Sequence, residues 1–401
     1  MMIKETKTLC PICKAILDAT IEEEGGSIWL VRSCPEHGHF RDLYWSDAAL
    51  WHKFEQFDSV GRGVENPNVV NPGGSCPENC GLCSFHKSGT LLANIDLTNR
   101  CNLDCDFCFA NARACGFIYE PSFDEIVKMM QLLRAEKPVP APAVQFSGGE
   151  PTMRDDLMEL IRKAKEIGFP QVQLATNGIK MAQDVGYVED LKSAGLSTVY
   201  LHFDGVTKET NSKIKSDEKA VRNCEDVGLG VVLVPTIIKG RNDHEIGPII
   251  RYAADHIKAV RGVNFQPIAF TGAASEEDVQ RERITIPELL EDIEDQTSGI
   301  IRKSDFYPVP CVVPFSDLVE AYTGLPQVRF TPHQHCGAAT YVFITDKGMV
   351  PINRMVDVES FFRSIENLTE KLKKGGQLNK YLSLIEGIRE MNDSFRKSEQ
   401  G

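Results

Sequence analysis

The sequence predicts an α/β protein built around six βα units. Between residues 91 and 272, short runs of β-branched residues alternate with segments of helical periodicity, which is typical of a parallel α/β barrel or a doubly wound sheet. Conspicuous polar motifs stand directly after several of the predicted strands. Since ligands of parallel α/β folds bind at the carboxyl ends of the strands, these motifs are expected to share one site.

The predicted elements alternate along this stretch. Strands are expected near residues 91–97, 143–146, 171–175, 198–203, 230–236 and 262–268. Helices are expected near residues 123–136, 154–167, 185–194, 217–227 and 243–257. Residues 286–300 are again helical in pattern. The irregular strings that follow predict a cap over one end of the barrel, and the amphipathic, charged residues after Phe361 predict surface helices.

Composition limits the classes of function. The chain has 401 residues, which is too long for one small core, so smaller modules are expected on either side of the six units. No apolar run approaches the roughly 20 residues that cross a bilayer, and Met1 to Thr8 has no secretory apolar stretch, so we expect a cytoplasmic protein. A net charge of −13 without a basic run disfavours nucleic acid as a partner.

The 13 cysteines stand mostly in short-spaced groups, which favours metal ligation in a reducing compartment over disulfides. Residues 1–59 are expected to form a module around a mononuclear metal site. Residues 60–90 are expected to hold a linker rich in Gly, Pro and Asn, followed by an auxiliary cluster segment. Residues 91–272 form the predicted core barrel, and residues 273–401 form the predicted cap.

The first metal motif consists of Cys10, Cys13, Cys34 and His37, which have the two-knuckle spacing of a zinc ribbon or a rubredoxin-like site. His39 competes with His37 as the fourth ligand but fits the second knuckle less well. The spacing does not choose between zinc and iron. Because small ribbons need a metal to fold, this site is expected to stabilise the amino-terminal region.

The string CNLDCDFCFA carries Cys101, Cys105 and Cys108 at C-x3-C-x2-C spacing. Three thiolates can hold three irons of a [4Fe–4S] cluster and leave the fourth iron open for a ligand, and a structural zinc site is the alternative. The string SGGEPT, which begins at Ser147, follows the next predicted strand. Its glycines let the backbone approach a ligand, and its glutamate can accept from the ammonium group of an amino acid.

Through these two motifs the chain resembles the radical SAM enzymes from about Leu91 to Gly272. The resemblance implies a partial (βα)6 barrel of the TIM type, in which a [4Fe–4S] cluster binds the amino and carboxylate groups of S-adenosylmethionine (SAM). Reduction then splits SAM into methionine and a 5′-deoxyadenosyl radical. Phe107 matches the family's aromatic residue beside the cluster. The residues that the resemblance assigns to the SAM pocket are Ser147, Gly148, Gly149, Glu150, Asn177 and Asp204.

A second C-x3-C-x2-C group, Cys76, Cys80 and Cys83, precedes the first. We interpret it as the binding segment of an auxiliary [4Fe–4S] cluster, with zinc as the alternative. It is not expected to bind a second SAM, because the sequence has one SGGEP motif. Candidates for its fourth ligand are Cys115, Cys311 and Cys336. Cys311 and Cys336 can instead anchor a further cluster, so one or two auxiliary clusters are expected.

Beyond the core, the chain resembles the archaeal tetraether lipid synthase group, formerly grouped with radical SAM pterin methyltransferases, from about Cys10 to Phe361. The strings that carry the resemblance are CPEHG, CGLCSFHKSGTLLANIDLTNRCNLDCDFCFANA, VPTIIKGRNDHEIG and HCGAATYVFITDKGMVPI. The resemblance implies hydrogen abstraction from unactivated C–H bonds and coupling of the terminal methyl carbons of isoprenoid chains. The implied products are tetraether or macrocyclic lipids.

The expected partners follow from this function. They are a lipid or other small-molecule substrate, an electron donor such as ferredoxin or flavodoxin, and the membrane surface as a peripheral contact. The apolar string FYPVPCVVPF, residues 306–315, is a candidate wall for a lipid groove, although an ordinary core loop is the alternative.

Three other functions stay open. A radical SAM methyltransferase acting on a pterin-like substrate is the first, although the sequence has no separate cobalamin-binding domain. A peptide-modifying or protein-modifying radical SAM enzyme is the second. An iron–sulfur protein that only carries electrons is the third, and it predicts no cleavage of SAM.

Overall fold

The amino-terminal region is a four-stranded antiparallel sheet followed by one helix. The computed structural model describes residues 1–69, 81–105, 107–108, 116–270 and 276–374. The elements are β1 (Met2–Leu9), β2 (Ile16–Glu24), β3 (Ser27–Cys34), β4 (Gly38–Trp45) and α1 (Ala48–Glu55). The strands pair in chain order, and Asp47 caps the helix by accepting from Leu50 N at 2.9 Å. The cysteine spacing predicts the metal motif here but not the sheet that carries it.

The centre of the molecule is a six-stranded parallel sheet with helices along its connections. Two short antiparallel strands, β5 (Asn68–Val69) and β6 (Gly81–Leu82), precede it. The elements of this central region are β7 (Leu92–Asp96), α2 (Phe123–Arg134), β8 (Ala143–Ser147), α3 (Leu157–Ile167), β9 (Gln171–Thr176), α4 (Ile179–Gln183), α5 (Val185–Ala194), β10 (Thr198–His202), α6 (Ile214–Val227), β11 (Gly230–Val234), β12 (Thr236–Ile237), α7 (Ile246–Asp255), β13 (Val260–Val263) and β14 (Gln266–Pro267). The sheet order β7, β8, β9, β10, β11, β13 follows the chain, with β7 and β13 at the edges. This arrangement confirms the predicted α/β fold class.

Alternating side chains on the sheet strands form the main core. Val172 and Leu174 on β9, and Val199 and Leu201 on β10, are at most 1 % exposed. Helix α3 covers this face with residues such as Leu160, and burial of each such side chain contributes about 1.5–3 kcal/mol. The sheet therefore holds the carboxyl ends of its strands in fixed register, and the polar motifs follow those ends.

The predicted sixth strand, residues 262–268, is displaced and interrupted. Strand β13 already begins at Val260 and ends at Val263, and the chain resumes as β14 on a separate ladder with β12. Pro235 separates β11 from β12, because a proline has no amide hydrogen to donate to the sheet. The Pro235 carbonyl accepts from Gln266 N at 2.9 Å, so the two interruptions lie opposite each other.

The carboxy-terminal region shares a second core with the amino-terminal module. Its elements are α8 (Glu276–Glu282), α9 (Ile286–Gln296), β15 (Tyr307–Pro308), α10 (Val313–Thr323), β16 (Ala338–Ala339), β17 (Val342–Thr345), β18 (Gly348–Pro351) and α11 (Val358–Lys374). Trp51 and Phe54 of α1 belong to the same buried cluster as Leu289 and Ile293 of α9. The ring of His335 stacks on that of Trp51 with centroids 3.4 Å apart, which ties the segment before β16 to the amino-terminal module.

Helix α11 is less exposed than the predicted surface helices. Ile365, Leu368 and Leu372 are buried, and the helix packs against α10. The rest of the predicted tail, residues 375–401, lies outside the described residues. Within the part of the chain that the structure describes, no helix is long and apolar enough to cross a membrane.

Candidate active site and metal sites

Cys101, Cys105 and Cys108 lie on the loop that follows β7, the first strand of the sheet. Cys101 and Cys105 are half-buried and Cys108 is exposed. Burial raises the pKa of the Cys105 thiol, and the negative charges of Asp204, Cys108 and Cys101 raise it further. Cys108 N donates to Cys105 O at 3.3 Å, and Phe107 between them meets His202, which contacts Asp204. The structure brings the three predicted cluster ligands and Asp204 to one place.

The SGGEPT turn is hydrogen-bonded through its main chain to the backbone that leads into Cys101. Gly149 N donates to Thr98 O at 2.7 Å, and Glu150 N donates to Arg100 O at 2.8 Å. Gly148 has a φ of +131°, and a Cβ atom there would lie 2.3 Å from Thr98 O. The two glycines therefore allow the cluster loop and the turn to approach closely.

Glu150 is buried, and four protein donors already occupy its carboxylate. Oε1 accepts from Thr152 N at 3.1 Å, from Thr152 Oγ1 at 2.6 Å and from Thr176 Oγ1 at 2.7 Å. Oε2 accepts from Asn177 N at 2.8 Å. A carboxylate offers about four lone-pair positions, so these bonds nearly fill its capacity. The contact of Glu150 with the SAM ammonium group stays a prediction.

Asn177 connects the turn after β9 to the cluster loop. Its Oδ1 accepts from Ile179 N at 3.1 Å, and its Nδ2 donates to Asn102 Oδ1 at 2.7 Å. Asn102 directly follows the first cysteine of the cluster motif. Asn102 could not be selected from the sequence, because asparagine is common in loops and its partner lies 75 positions away.

Asp204 follows β10 and is held from three sides. Its Oδ1 lies 2.8 Å from His202 Nε2 and accepts from Thr236 N at 3.1 Å. Its carbonyl accepts from Asn242 Nδ2 at 2.8 Å. The His202 ring meets Phe107 of the cluster loop edge-on, with centroids 6.1 Å apart. Asn242 could not be selected from the sequence, because it lies before α7 and far from Asp204 in the chain, and only folding brings the two residues into contact.

A buried ion pair supports the end of β10. Lys213 Nζ lies 2.9 Å from both carboxylate oxygens of Asp217 and donates to His202 O at 2.9 Å. The Asp217 side chain is fully buried, and burial raises its pKa although Lys213 opposes the shift. The positive charge of Lys213 also opposes the rise in the pKa of Cys105. This pair therefore fixes the strand end that carries His202 and Asp204.

Cys10, Cys13, Cys34 and His37 form a compact group in the amino-terminal sheet. Their ligand atoms all lie within 4.8 Å of one another. The Cys13 and Cys34 sulfurs are 3.8 Å apart, and tetrahedral coordination at about 2.3 Å per sulfur gives about the same separation. Although desolvation opposes it, hydrogen bonds from the Cys13 and Ile12 amides lower the pKa of the Cys10 thiol to about 6. These residues fit one metal ion.

Comparisons with known proteins agree with both metal motifs. The radical SAM superfamily model matches residues 95–253, and the model described as "HMPTM N-terminal zinc ribbon domain" matches residues 2–46. A 7,8-dihydro-6-hydroxymethylpterin dimethyltransferase from Methanocaldococcus jannaschii is 50% identical over 382 residues, which cover 93% of this chain and 74% of that protein. The chain belongs to the radical SAM superfamily, in the family of this relative.

More distant matches include a curated cyclase and a solved structure. A GTP 3',8-cyclase from Clostridium acetobutylicum is 26% identical over 297 residues, which cover 70% of this chain and 87% of that protein. Among solved structures, the alignment with HydG, a maturase of the [FeFe]-hydrogenase, covers 53% of this chain and 51% of the HydG chain, with a TM-score of 0.42 and 14% identity. The 50% identity to the pterin dimethyltransferase favours the pterin alternative over lipid coupling.

The residues of the radical SAM site fit a [4Fe–4S] cluster. The three thiols of Cys101, Cys105 and Cys108 lie on one loop, and thiolates are the ligands that iron–sulfur clusters use. When bound, the cluster supplies the electron that cleaves SAM. The chain's own contribution is to hold the cluster loop, the SGGEPT turn and the ends of β9 and β10 together.

The auxiliary cysteines are only partly described. Cys76, Cys80 and Cys115 lie outside the described residues, and Cys83 is half-buried after β6. Strand β15 pairs with β16 through Pro308 and Ala338, which brings the half-buried Cys311 and the exposed Cys336 toward the same end of this ladder. Burial raises the pKa of Cys311 to about 11. The auxiliary clusters stay a prediction.

Loss of the ribbon metal is expected to unfold the amino-terminal sheet. Cys34→Ala removes a buried ligand, so we expect one metal ion fewer per chain and fast hydrogen exchange in β1 to β4, while β8 to β10 stay protected. The control is His39→Ala, because His39 bonds Ser33 and lies outside the compact group. Unchanged exchange in Cys34→Ala would show that the sheet does not depend on the metal.

Glu245 is expected to make stability depend on pH in the acid range. Its carboxylate accepts from Thr210 Oγ1 at 2.6 Å and from Thr207 and Val206 in the loop after β10. Burial alone would raise the pKa of Glu245, but these hydrogen bonds hold it below the ordinary 4.5. The stabilisation is therefore complete above pH 4.5 and is lost as the pH falls toward the lowered value.

Glu245→Gln tests this expectation. At pH 7 the variant should lose about 1–3 kcal/mol of unfolding free energy, and its stability should fall less steeply than that of the wild type below the ordinary carboxyl pKa. Urea unfolding at a series of pH values measures both effects. Parallel pH curves for the two proteins would show that Glu245 does not contribute.

Proposed function

We propose that this protein is a radical SAM methyltransferase that acts on a reduced pterin. The observation that carries the proposal is the 50% identity over 93% of the chain to the relative named 7,8-dihydro-6-hydroxymethylpterin dimethyltransferase. The match to the zinc ribbon model extends the likeness to the amino-terminal module. In this proposal one SAM molecule gives methionine and a 5′-deoxyadenosyl radical, which takes a hydrogen atom from a C–H bond of the acceptor. A second SAM molecule supplies the methyl group and leaves as S-adenosylhomocysteine. A donor such as ferredoxin or flavodoxin supplies two electrons for each methyl group, one to cleave SAM and one to reduce the acceptor radical.

The aromatic rings of Phe107 and His202 beside the cluster loop suit a flat, polar substrate. Phe107 and His202 lie edge to face, and the His202 side chain is 27 % exposed. A pterin has an aromatic face that can stack and a nitrogen-rich edge that can hydrogen-bond. Asp204 orients His202 through the 2.8 Å contact, so a substrate there meets an imidazole in a fixed position.

A second candidate, the coupling of isoprenoid chains, is supported by one observation. A cavity of about 740 Å³ lies between the edge strand β13, helices α7 and α9, and strands β16 to β18. Its lining is largely apolar and includes Ile250, Ile257, Leu289, Ile293 and Phe306. Phe306 and Val309 belong to the string that was predicted to line a lipid groove, and an apolar cavity of this volume accommodates hydrocarbon better than a polar heterocycle.

Product analysis separates the two candidates. Anaerobically reconstituted protein would receive SAM and reductant with either 7,8-dihydro-6-hydroxymethylpterin or an archaeal-type diether phospholipid, and the products would be identified by mass spectrometry. We expect the pterin to gain methyl groups and the lipid to stay unchanged. A lipid that loses two hydrogens per new carbon–carbon link, with an unchanged pterin, would reject the proposal in favour of coupling.

A further inference from the structure

The SAM pocket and the cluster loop are joined by a short chain of hydrogen bonds, here called the asparagine relay: Glu150, Asn177 and Asn102. Glu150 is 1 % exposed and Asn177 is 6 % exposed, whereas Asn102 is on the exposed loop. The relay crosses from the strand ends of β8 and β9 to the loop after β7. It therefore connects the three segments that meet at the site.

Each bond in the relay has a fixed direction. Thr152 and Thr176 saturate Oε1 of Glu150, and its Oε2 accepts from the main-chain N of Asn177 at 2.8 Å. Asn177 Oδ1 accepts from Ile179 N, which leaves Nδ2 as the group that donates to Asn102 Oδ1 at 2.7 Å. A side-chain amide held in this way cannot rotate without leaving buried donors unpaired.

We propose that Glu150 and Asn177 are positioning residues that set the cluster loop against the SAM pocket through the hydrogen bond from Asn177 to Asn102. Glu150 acts on SAM through Asn177, because its Oε1 accepts from three protein donors and its Oε2 accepts from the main-chain N of Asn177. Asn102 contributes as an acceptor next to Cys101. Affinity for SAM then depends on a bond between two side chains of the protein.

The test compares a substitution of Asn102 that removes the acceptor with one that keeps it. Asn102→Leu has a similar size but no acceptor, and Asn102→Asp keeps an acceptor oxygen. Reconstituted protein would be assayed for iron content, for SAM affinity by equilibrium dialysis, and for the EPR spectrum of the reduced cluster with and without SAM. None of these measurements requires the substrate, so their outcome is independent of the pterin proposal.

We expect Asn102→Leu to keep wild-type iron content, to bind SAM about tenfold more weakly and to lose much of the SAM-induced change in the EPR spectrum. Asn102→Asp should restore the affinity to within about twofold of wild type. In an Asn177→Ala background, Asn102→Leu should have no further effect, because the bond is already absent.

Three results would overturn the proposal. One is wild-type SAM affinity and EPR response in Asn102→Leu. Another is an equal loss of affinity in Asn102→Leu and Asn102→Asp. The third is a full additional loss when Asn102→Leu is added to Asn177→Ala, which would show that the two residues act separately.

Discussion

A variant with alanine at Cys101, Cys105 and Cys108 is expected to produce no 5′-deoxyadenosine above background from SAM and dithionite. The three thiols lie on the loop after β7, and without them the cluster that binds and reduces SAM is lost. The metal of the ribbon should stay, because its ligands lie in a separate sheet. Metal analysis and chromatography of the nucleoside product measure both effects.

Cys224→Ala is the matched control for cysteine loss. Cys224 is buried on α6, and burial raises the pKa of its thiol to about 12, so it remains a neutral core side chain. This variant should keep its iron and its cleavage of SAM. Cleavage by the triple variant at the wild-type rate would disprove the assignment of the cluster ligands.

Gly149→Ala is expected to reduce SAM cleavage by about 100-fold, because small displacements of reacting groups have effects of this order. A Cβ atom at Gly149 would lie 2.3 Å from Arg100 O, and Arg100 directly precedes Cys101. The cluster loop or the turn must move to relieve this overlap. Overpacking of this kind also lowers the unfolding free energy by about 1–3 kcal/mol.

Gly89→Ala is the control for this substitution, because no atom lies within 4 Å of a Cβ built at Gly89. We expect it to cleave SAM at the wild-type rate. The two variants would be compared by initial rates of 5′-deoxyadenosine formation and by urea unfolding. A Gly149→Ala protein as active as Gly89→Ala would show that the close approach of the turn to the loop is not required.

The parallel sheet could be predicted from sequence because its strands are buried and separated by amphipathic helices. The alternation in β9 and β10 marks both the strands and the buried face. The sixth strand was misplaced although Pro267 within residues 262–268 is a signal against a continuous strand, and the interruption lies opposite Pro235 of the neighbouring strand. Helix α4 was missed because its five residues are too short for a periodic pattern.

Metal ligands were easier to select than the residues that hold them. Cysteines at fixed spacing are rare enough to identify a motif, and the structure gathers Cys10, Cys13, Cys34 and His37 into one compact group. Asn102 and Asn242 were missed, because each acts through a partner that is distant in sequence. Glu150 was selected for a contact with SAM, and its four protein donors become visible only in the fold.

The substrate is the part of the function that residue spacing does not determine. The cluster motif and the SGGEPT turn provide the same radical chemistry to many acceptors, so the choice of acceptor depends on the surrounding cavity. Comparison with the pterin dimethyltransferase favours a heterocycle over a lipid.

The most direct test of the pterin assignment is the rate at which reconstituted, reduced protein converts SAM to 5′-deoxyadenosine with and without 7,8-dihydro-6-hydroxymethylpterin. The account predicts that the pterin stimulates cleavage and that methylated pterin accumulates with the nucleoside. Cleavage that is indifferent to the pterin but stimulated by diether phospholipid would contradict the assignment while leaving the radical SAM core intact.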